Sequence, residues 1–162
     1  MANEDKKDFN KMLQAPMEPK IVELDAAGAA KWGGRTMVVP RKTDYDQLIR
    51  QVPEGSIVTT QELRQKIAKQ YGTEIACPLT AGIFTNIAAW ASYQRGSDIT
   101  PFWRVVKAKG ELNSKFPEYP TLQKQKLEAE GFTVIWSDKF GHRLNENVAR
   151  KIPGWIKELE EK

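Results

Sequence analysis

Two consecutive helix patterns, each with marked ends, constrain this chain more than any other feature. In residues 60–71, Leu63, Ile67 and Tyr71 recur every four residues, which places them on one helix face. Thr59 and Glu62 have capping-box spacing ahead of that run, and Gly72 is a natural stop after it. A second pattern opens at Pro78 or Leu79, where proline suits a first helical position, and runs to 94. Its expected buried stripe is Leu79, Ile83, Ile87 and Trp90 or Ala91. The opposite face, Ala81, Thr85, Ala88 and Ser92, is almost entirely small. Such a face lets a helix backbone approach another helix, a sheet or a DNA groove closely.

The flanking segments extend this pattern. Tyr45, Leu48, Ile49 and Val52 form one apolar stripe, so 44–52 is predicted helical, with Thr43 and Asp46 as a variant capping box. Pro53-Glu54-Gly55 breaks it, and 56–59 reads as extended. After Gly96, residues 101–106 predict a strand, 108–111 a turn, and 112–116 a partner strand or loop. Thr121 starts a further helix through Glu130, which Gly131 ends. Phe132, Val134 and Trp136 alternate as in a strand, and 138–141 turns back toward His142, Arg143 and Leu144. Two helices followed by a hairpin predict a winged helix-turn-helix, mainly α with a small β component, whose second helix reads a groove.

Residues 1–35 contain Pro16, Pro19, an Ala/Gly run and Gly33-Gly34, and read as a flexible or loosely packed arm. Within it Ile21–Leu24 fits a short strand. Order is expected from about Thr36, giving a winged-helix domain over 36–144. Residues 145–162 predict a C-terminal helix, interrupted at Pro153-Gly154, with Trp155, Ile156 and Leu159 on one side.

Composition narrows the function classes. At 162 residues the chain is long enough for one real core. No run of about 18 apolar residues is present, so no membrane span is expected. The first eight residues are polar and lack the apolar stretch of a signal peptide. One cysteine, Cys77, excludes an internal disulfide, and one histidine, His142, leaves no His/Cys set for a metal. A reduced cytoplasmic setting with no cofactor is the expectation.

The net charge of +4 is unevenly placed. Residues 57–126 hold 10 Lys/Arg against 5 Asp/Glu, and the rest hold 15 against 16. A basic region attracts a phosphate backbone through counterion release. It equally suits a solvated basic face with no partner.

Three segments carry a resemblance to a known family. They are Val52-Pro53-Glu54-Gly55-Ser56-Ile57-Val58-Thr59-Thr60-Gln61-Glu62-Leu63, then Ile99-Thr100-Pro101-Phe102-Trp103-Arg104-Val105-Val106, then Gln125-Lys126-Leu127-Glu128-Ala129-Glu130-Gly131. Lys109-Gly110-Glu111-Leu112 adds the intervening turn. In that order, from about Tyr45 to Ile135, they resemble the DNA-binding domain of the O6-alkylguanine-DNA alkyltransferases, the methylated-DNA–protein cysteine methyltransferases. The non-enzymatic alkyltransferase-like proteins of that family are closest in character.

The departures from the family matter most. There, a cysteine thiolate takes the alkyl group from guanine O6, a histidine helps remove its proton, and a glutamate orients the histidine. The resemblance puts Phe102 at the cysteine position, Trp103 at the histidine position and Glu130 at the glutamate position. Phenylalanine offers no nucleophile, so alkyl transfer through that position is excluded. Glu130 is expected to have lost its partner. Thr60 stands where the family has a tyrosine that pushes the nucleotide out. Thr85 falls near the family's intercalating arginine, and its neighbour Phe84 is either an apolar substitute wedge or an ordinary core residue. Cys77 opens a helix and reads as a bystander thiol or a displaced nucleophile. His142 reads as a surface histidine.

The resulting expectation is a non-enzymatic protein that binds double-stranded DNA and senses alkylated or distorted bases in repair or regulation. Expected DNA contacts are Thr60, Arg64, Lys66, Thr85, Arg104, Lys107, Lys109 and Lys115. Expected pocket residues are Phe84, Phe102, Trp103 and Glu130. As strand neighbours Phe102 and Trp103 point to opposite faces, so either one lines the pocket or both fill it as core. The rival expectation is a winged-helix scaffold for protein contact, with helix 79–94 covering a partner or a second copy. Sequence sets no oligomeric state.

Overall fold

A computed structural model describes residues 7–139 and 141–144. The predicted C-terminal helix, with Trp155, Ile156 and Leu159, lies outside the described residues. Among the described residues, six helices and seven short strands follow in chain order: α1 Phe9–Gln14, β1 Lys20–Glu23, α2 Ala26–Trp32, β2 Thr36–Val39, α3 Lys42–Arg50, β3 Val58–Thr59, α4 Thr60–Tyr71, β4 Ile75–Ala76, α5 Pro78–Arg95, β5 Val105–Val106, α6 Thr121–Ala129, β6 Val134–Ser137 and β7 Gly141–Leu144. The chain is mainly helical with little sheet. No described helix is long and apolar enough to cross a membrane.

Local chemistry explains the helix ends. Thr59 Oγ1 accepts from the Glu62 N–H at 3.1 Å, and Glu62 Oε1 accepts from the Thr59 N–H at 2.9 Å, closing the expected capping box of α4. Gly72 ends α4 in the left-handed region at φ +73°, and Gly96 ends α5 at φ +68°. α3 starts two residues earlier than its pattern predicts. Asp44, rather than Asp46, accepts from the first-turn backbone, at the Arg41 N–H.

Among the described residues regular structure is present from Phe9, well before Thr36, which corrects the loose-arm expectation for residues 9–35. Asp8 caps α1 through the Lys11 N–H, and Phe9 and Leu13 are buried in the core. The Phe9 ring stacks on Trp90 of α5 at 5.6 Å. β1 pairs antiparallel with β2, and β2 pairs in parallel with β4, making a three-stranded sheet in the order β1-β2-β4. Phe9 and Leu13, one helical turn apart, anchor this segment to the core, a pair too short to make a sustained period in sequence.

α5 lies at the centre, against α1, α3 and α4. Its burial reverses the predicted stripe over the first two turns. Leu79 is 65% exposed and Ile83 55% exposed, whereas Ala81, Thr85, Ala88 and Ser92 are all buried. Small side chains let α5 seat closely on its neighbours. α1 covers only the later half of α5, where Asn10 Nδ2 donates to the Ala91 carbonyl and Gln94 Oε1 accepts from the Phe9 N–H. Ile87 and Trp90 are buried there, and Leu79 and Ile83 stand beyond the cover.

Of the strand expected over 101–106 only Val105–Val106 forms, the turn expected at 108–111 is present with the Lys107 N–H donating to the Glu111 carbonyl at 3.0 Å, and 112–116 takes the loop alternative. Phe102–Arg104 make a single 3₁₀ turn. β5 follows and pairs in parallel with β3, placing Val58 opposite Val105 and Thr59 opposite Val106. The hairpin of this fold is β6–β7, antiparallel, with Trp136 opposite His142. Residues 110–112 run beside it, through Leu112 N–H to the His142 carbonyl and Leu144 N–H to the Gly110 carbonyl.

Candidate nucleic-acid interface

The three segments that carry the family resemblance meet at one carboxylate. Glu130, just past α6, is largely buried. Its Oε2 accepts from Trp103 Nε1 at 2.6 Å and from Arg104 Nη2 at 2.9 Å. Its Oε1 accepts from the Gly55 N–H at 3.0 Å and from Arg104 Nε at 3.0 Å. Arg104 Nη1 donates to the Val52 carbonyl at 2.7 Å. The turn after α3, the 3₁₀ turn and the end of α6 are thus tied together. Gly55 takes φ +80°, which lets the turn aim its N–H at the carboxylate without a Cβ penalty. Burial opposes the Glu130 charge. The hydrogen bonds from Arg104, Gly55 and Trp103 outweigh it and hold the carboxyl below its ordinary range.

Glu130 has therefore not lost its partner, contrary to expectation. The Trp103 indole supplies an N–H to it. An indole nitrogen donates and cannot accept, so this pair moves no proton away from a nucleophile. Arg104 is spent inside the same cluster, as both of its terminal nitrogens and Nε are engaged within the protein. It is a structural cation rather than the DNA contact expected of it.

Phe102 is 3% exposed and Trp103 9% exposed. Because the turn is 3₁₀ rather than extended, the two rings do not point to opposite faces. They meet edge to face at 5.6 Å, and Phe102 meets Phe116 the same way at 5.4 Å. Lys126 Nζ sits 5.2 Å over the Trp103 ring. Both rings are core. Gln123, which no sequence pattern singles out, is buried and donates to the Trp103 and Val105 carbonyls at 3.2 and 2.9 Å. A lone glutamine on a helix carries no pattern that would reveal this role.

Other expected contacts separate into two groups. Thr85 is 1% exposed and Phe84 is buried edge-on to Tyr45 at 6.4 Å, so neither faces a ligand. Cys77 is buried, and His142 is half-buried between Trp136 and Tyr119. Arg64 lies half-buried over β4, with Nε 3.4 Å from the Ala76 carbonyl. Lys66, two residues on, falls on a different helix face. Lys107, Lys109 and Lys115 are exposed. The β3–β5 register carries Thr60, first residue of α4, beside Lys107.

Lys107 and Lys115 also flank an open groove of about 620 Å³ between α1 and the first half of α5. Lys7, absent from the sequence expectations, is the third cation at its edge. Leu79 and Ile83 form its wall, and no carboxylate among the described residues lines it. None of the three lysines has an ion pair among the described residues. The locally basic composition of 57–126 was the one signal that pointed here.

No protein-family model and no curated protein matches the chain. Among solved structures it is similar to S. pombe Atl1, crystallised in complex with damaged DNA containing O6-carboxymethylguanine. The two are 20% identical, the match covers 69% of this chain and 94% of that one, and the TM-score is 0.46.

Proposed function

We propose that this chain is a non-enzymatic, alkyltransferase-like protein that binds double-stranded DNA, with α4, α5 and the β6–β7 hairpin serving as a winged helix-turn-helix. One observation carries the reading. The three resembling segments converge on Glu130, yet a buried phenylalanine stands where the family's chemistry needs a thiolate. A family scaffold without its nucleophile is a binder. Lys107, Lys109, Lys115 and the neighbouring N-terminus of α4 give it an anion-attracting edge.

Recognition of a damaged site would work by duplex distortion rather than by housing an extruded base. Phe102 and Trp103 fill the space at the family's pocket position, and displacing them would expose buried rings. Flipping itself costs a few kcal/mol, and neither Thr60 nor buried Thr85 supplies a wedge to offset it.

Titration of the full chain against plain, mismatched and O6-alkylguanine duplexes tests this. The expected result is binding that weakens with salt and favours the distorted duplexes. Equal affinity for all three would reduce the function to general DNA binding. Affinity at about 50 mM salt no better than that of a neutral protein would overturn it.

The exposed Leu79 and Ile83 favour a second reading, a protein-contact scaffold. Light scattering separates the two. A strict monomer that binds DNA counts against the scaffold, and a stable complex through α5 without DNA affinity supports it.

A further inference from the structure

We propose that the chain's own C-terminal segment, Gly154–Lys162, docks in cis into the groove between α1 and the first half of α5. There its carboxylates compete with DNA phosphate for the groove lysines. The competition rests on the DNA-binding reading; the docking does not.

The groove asks for a particular chemistry. Its floor is apolar, formed by Phe9 and Ile87, and its wall is the exposed pair Leu79 and Ile83, one helical turn apart. Lys7, Lys107 and Lys115 stand around it with no carboxylate among the described lining residues. DNA phosphates would use the lysines but leave two aliphatic side chains in water. An apolar stripe bordered by acids satisfies both parts. Asn86 also faces the groove, and its Oδ1 is enclosed without a hydrogen-bond partner among the described residues. That oxygen calls for a donor carried on an apolar group.

Residues 154–162 have this composition. Trp155, Ile156 and Leu159 are apolar and helically spaced, with Glu158, Glu160 and Glu161 among and after them. Trp155 brings an indole N–H, a donor of the kind Asn86 lacks. Among the other exposed apolar side chains, Trp136 on β6 is the most exposed, and its indole donates to Asp138, so it presents a carboxylate, which an acidic segment avoids.

Connection and reach agree. Leu144, the last described residue, donates its N–H to the Gly110 carbonyl at 2.9 Å. The Gly110 N–H donates to the Lys107 carbonyl at 2.8 Å. The segment therefore leaves the described structure in the same turn that carries a groove lysine. The nine residues from 145 to 153 span up to about 30 Å when extended, ample for a groove that begins at Lys107. Tethering at this length raises the local concentration to about the millimolar range, so a weak contact suffices.

The test is disulfide trapping in the full chain. A Cβ at Gly82, in the groove wall, meets nothing within 4 Å, so Gly82→Cys is accommodated. Lys157→Cys places the second thiol without touching the apolar residues of the segment. In a Cys77→Ser background, under air with a copper–phenanthroline catalyst, the double variant is expected to form an intrachain disulfide at a rate independent of protein concentration. Adding Trp155→Ala, Ile156→Ala and Leu159→Ala should slow it at least fivefold. A disulfide between chains, no disulfide, or a rate indifferent to those alanines overturns the docking. Separately, Glu158→Lys, Glu160→Lys and Glu161→Lys together should raise affinity for a plain duplex at least threefold beyond what the same three substitutions give with the trapping disulfide closed. Trapping without DNA binding by any variant would leave the docking standing and reject the DNA-binding reading.

Discussion

The indole Nε1 of Trp103 donates to Glu130 Oε2 across 2.6 Å, from the position where the resembling family places a histidine. An imidazole can donate to a carboxylate and accept a proton at its other nitrogen, whereas an indole can only donate. Arg104 completes the change by closing on the same carboxylate through Nε and Nη2. What serves as a proton relay in the family is here a brace joining three chain segments.

Breaking the brace should destabilise the domain strongly. Both partners are mostly buried, with side chains 13% and 6% exposed. Arg104→Ala leaves a buried carboxylate with its charge uncompensated, and a cost of about 3–5 kcal/mol is expected. Urea denaturation followed by far-UV circular dichroism measures it. Glu130→Gln should cost less than Glu130→Ala, because the amide oxygen still accepts from Trp103. A cost below about 1 kcal/mol for Arg104→Ala would show that the cluster does not hold the fold.

Acid should reveal the same carboxylate. Its folded-state value lies below the ordinary 4.5. The stabilisation is therefore complete above that value and is lost as pH falls through the lower, folded-state one. Stability profiles of the wild type and Glu130→Gln should run apart at pH 7 and converge below pH 4.5. Parallel profiles down to pH 3 would mean that Glu130 carries no charge-dependent stability.

Restoring the missing thiol should not restore the reaction. In Phe102→Cys the sulfur would sit in a site that is 3% exposed, beside an indole that cannot take its proton. The expected outcome with O6-methylguanine duplex is no methyl on the protein by intact mass. The lost ring should also cost about 3 kcal/mol, read from the urea midpoint. Methylation of the variant would show that the pocket opens and that a base reaches the thiol.

Helix identity was legible in sequence where local chemistry decides it. Thr59, Glu62 and Gly72 mark α4 by themselves, and they fix its ends in the structure. Facing was not legible for α5, because burial there depends on where α1 ends. Periodicity favours the larger side chains as the inner stripe, yet the small Ala81, Thr85, Ala88 and Ser92 are the ones packed inside. The site shows the same division. Lys107 and Lys115 follow from local charge, whereas Lys7 enters only because α1 folds back over α5. The role of Arg104 was hidden too, since a cation in a basic segment looks free until Glu130 and Val52 are brought to it.

Substitutions along α5 should follow the observed facing. Leu79→Ser removes an exposed side chain and should change stability by no more than about 0.5 kcal/mol. Ala88→Leu inserts bulk where no space is left and should cost at least about 1–3 kcal/mol. Thermal melts of the two variants distinguish the facings. A destabilised Leu79→Ser with a tolerated Ala88→Leu would restore the stripe read from periodicity.

On the proposed DNA-binding reading, the same division of the cations sets how affinity responds to salt. Each lysine that neutralises a phosphate contributes about 0.9 to the slope of log affinity against log salt. Lys107 and Lys115 are exposed and unpaired among the described residues, so Lys107→Ala and Lys115→Ala should each flatten the slope by about that amount. Arg104 is already neutralised by Glu130 and buried by Val52, so it has no charge left for a phosphate. Under conditions where Arg104→Ala is still folded by circular dichroism, its slope should equal that of the wild type. Fluorescence anisotropy of a labelled duplex between about 50 and 200 mM salt reads all three. A slope reduced by Arg104→Ala and unchanged by both lysine variants would move the interface from the α5 groove edge to the Glu130 cluster.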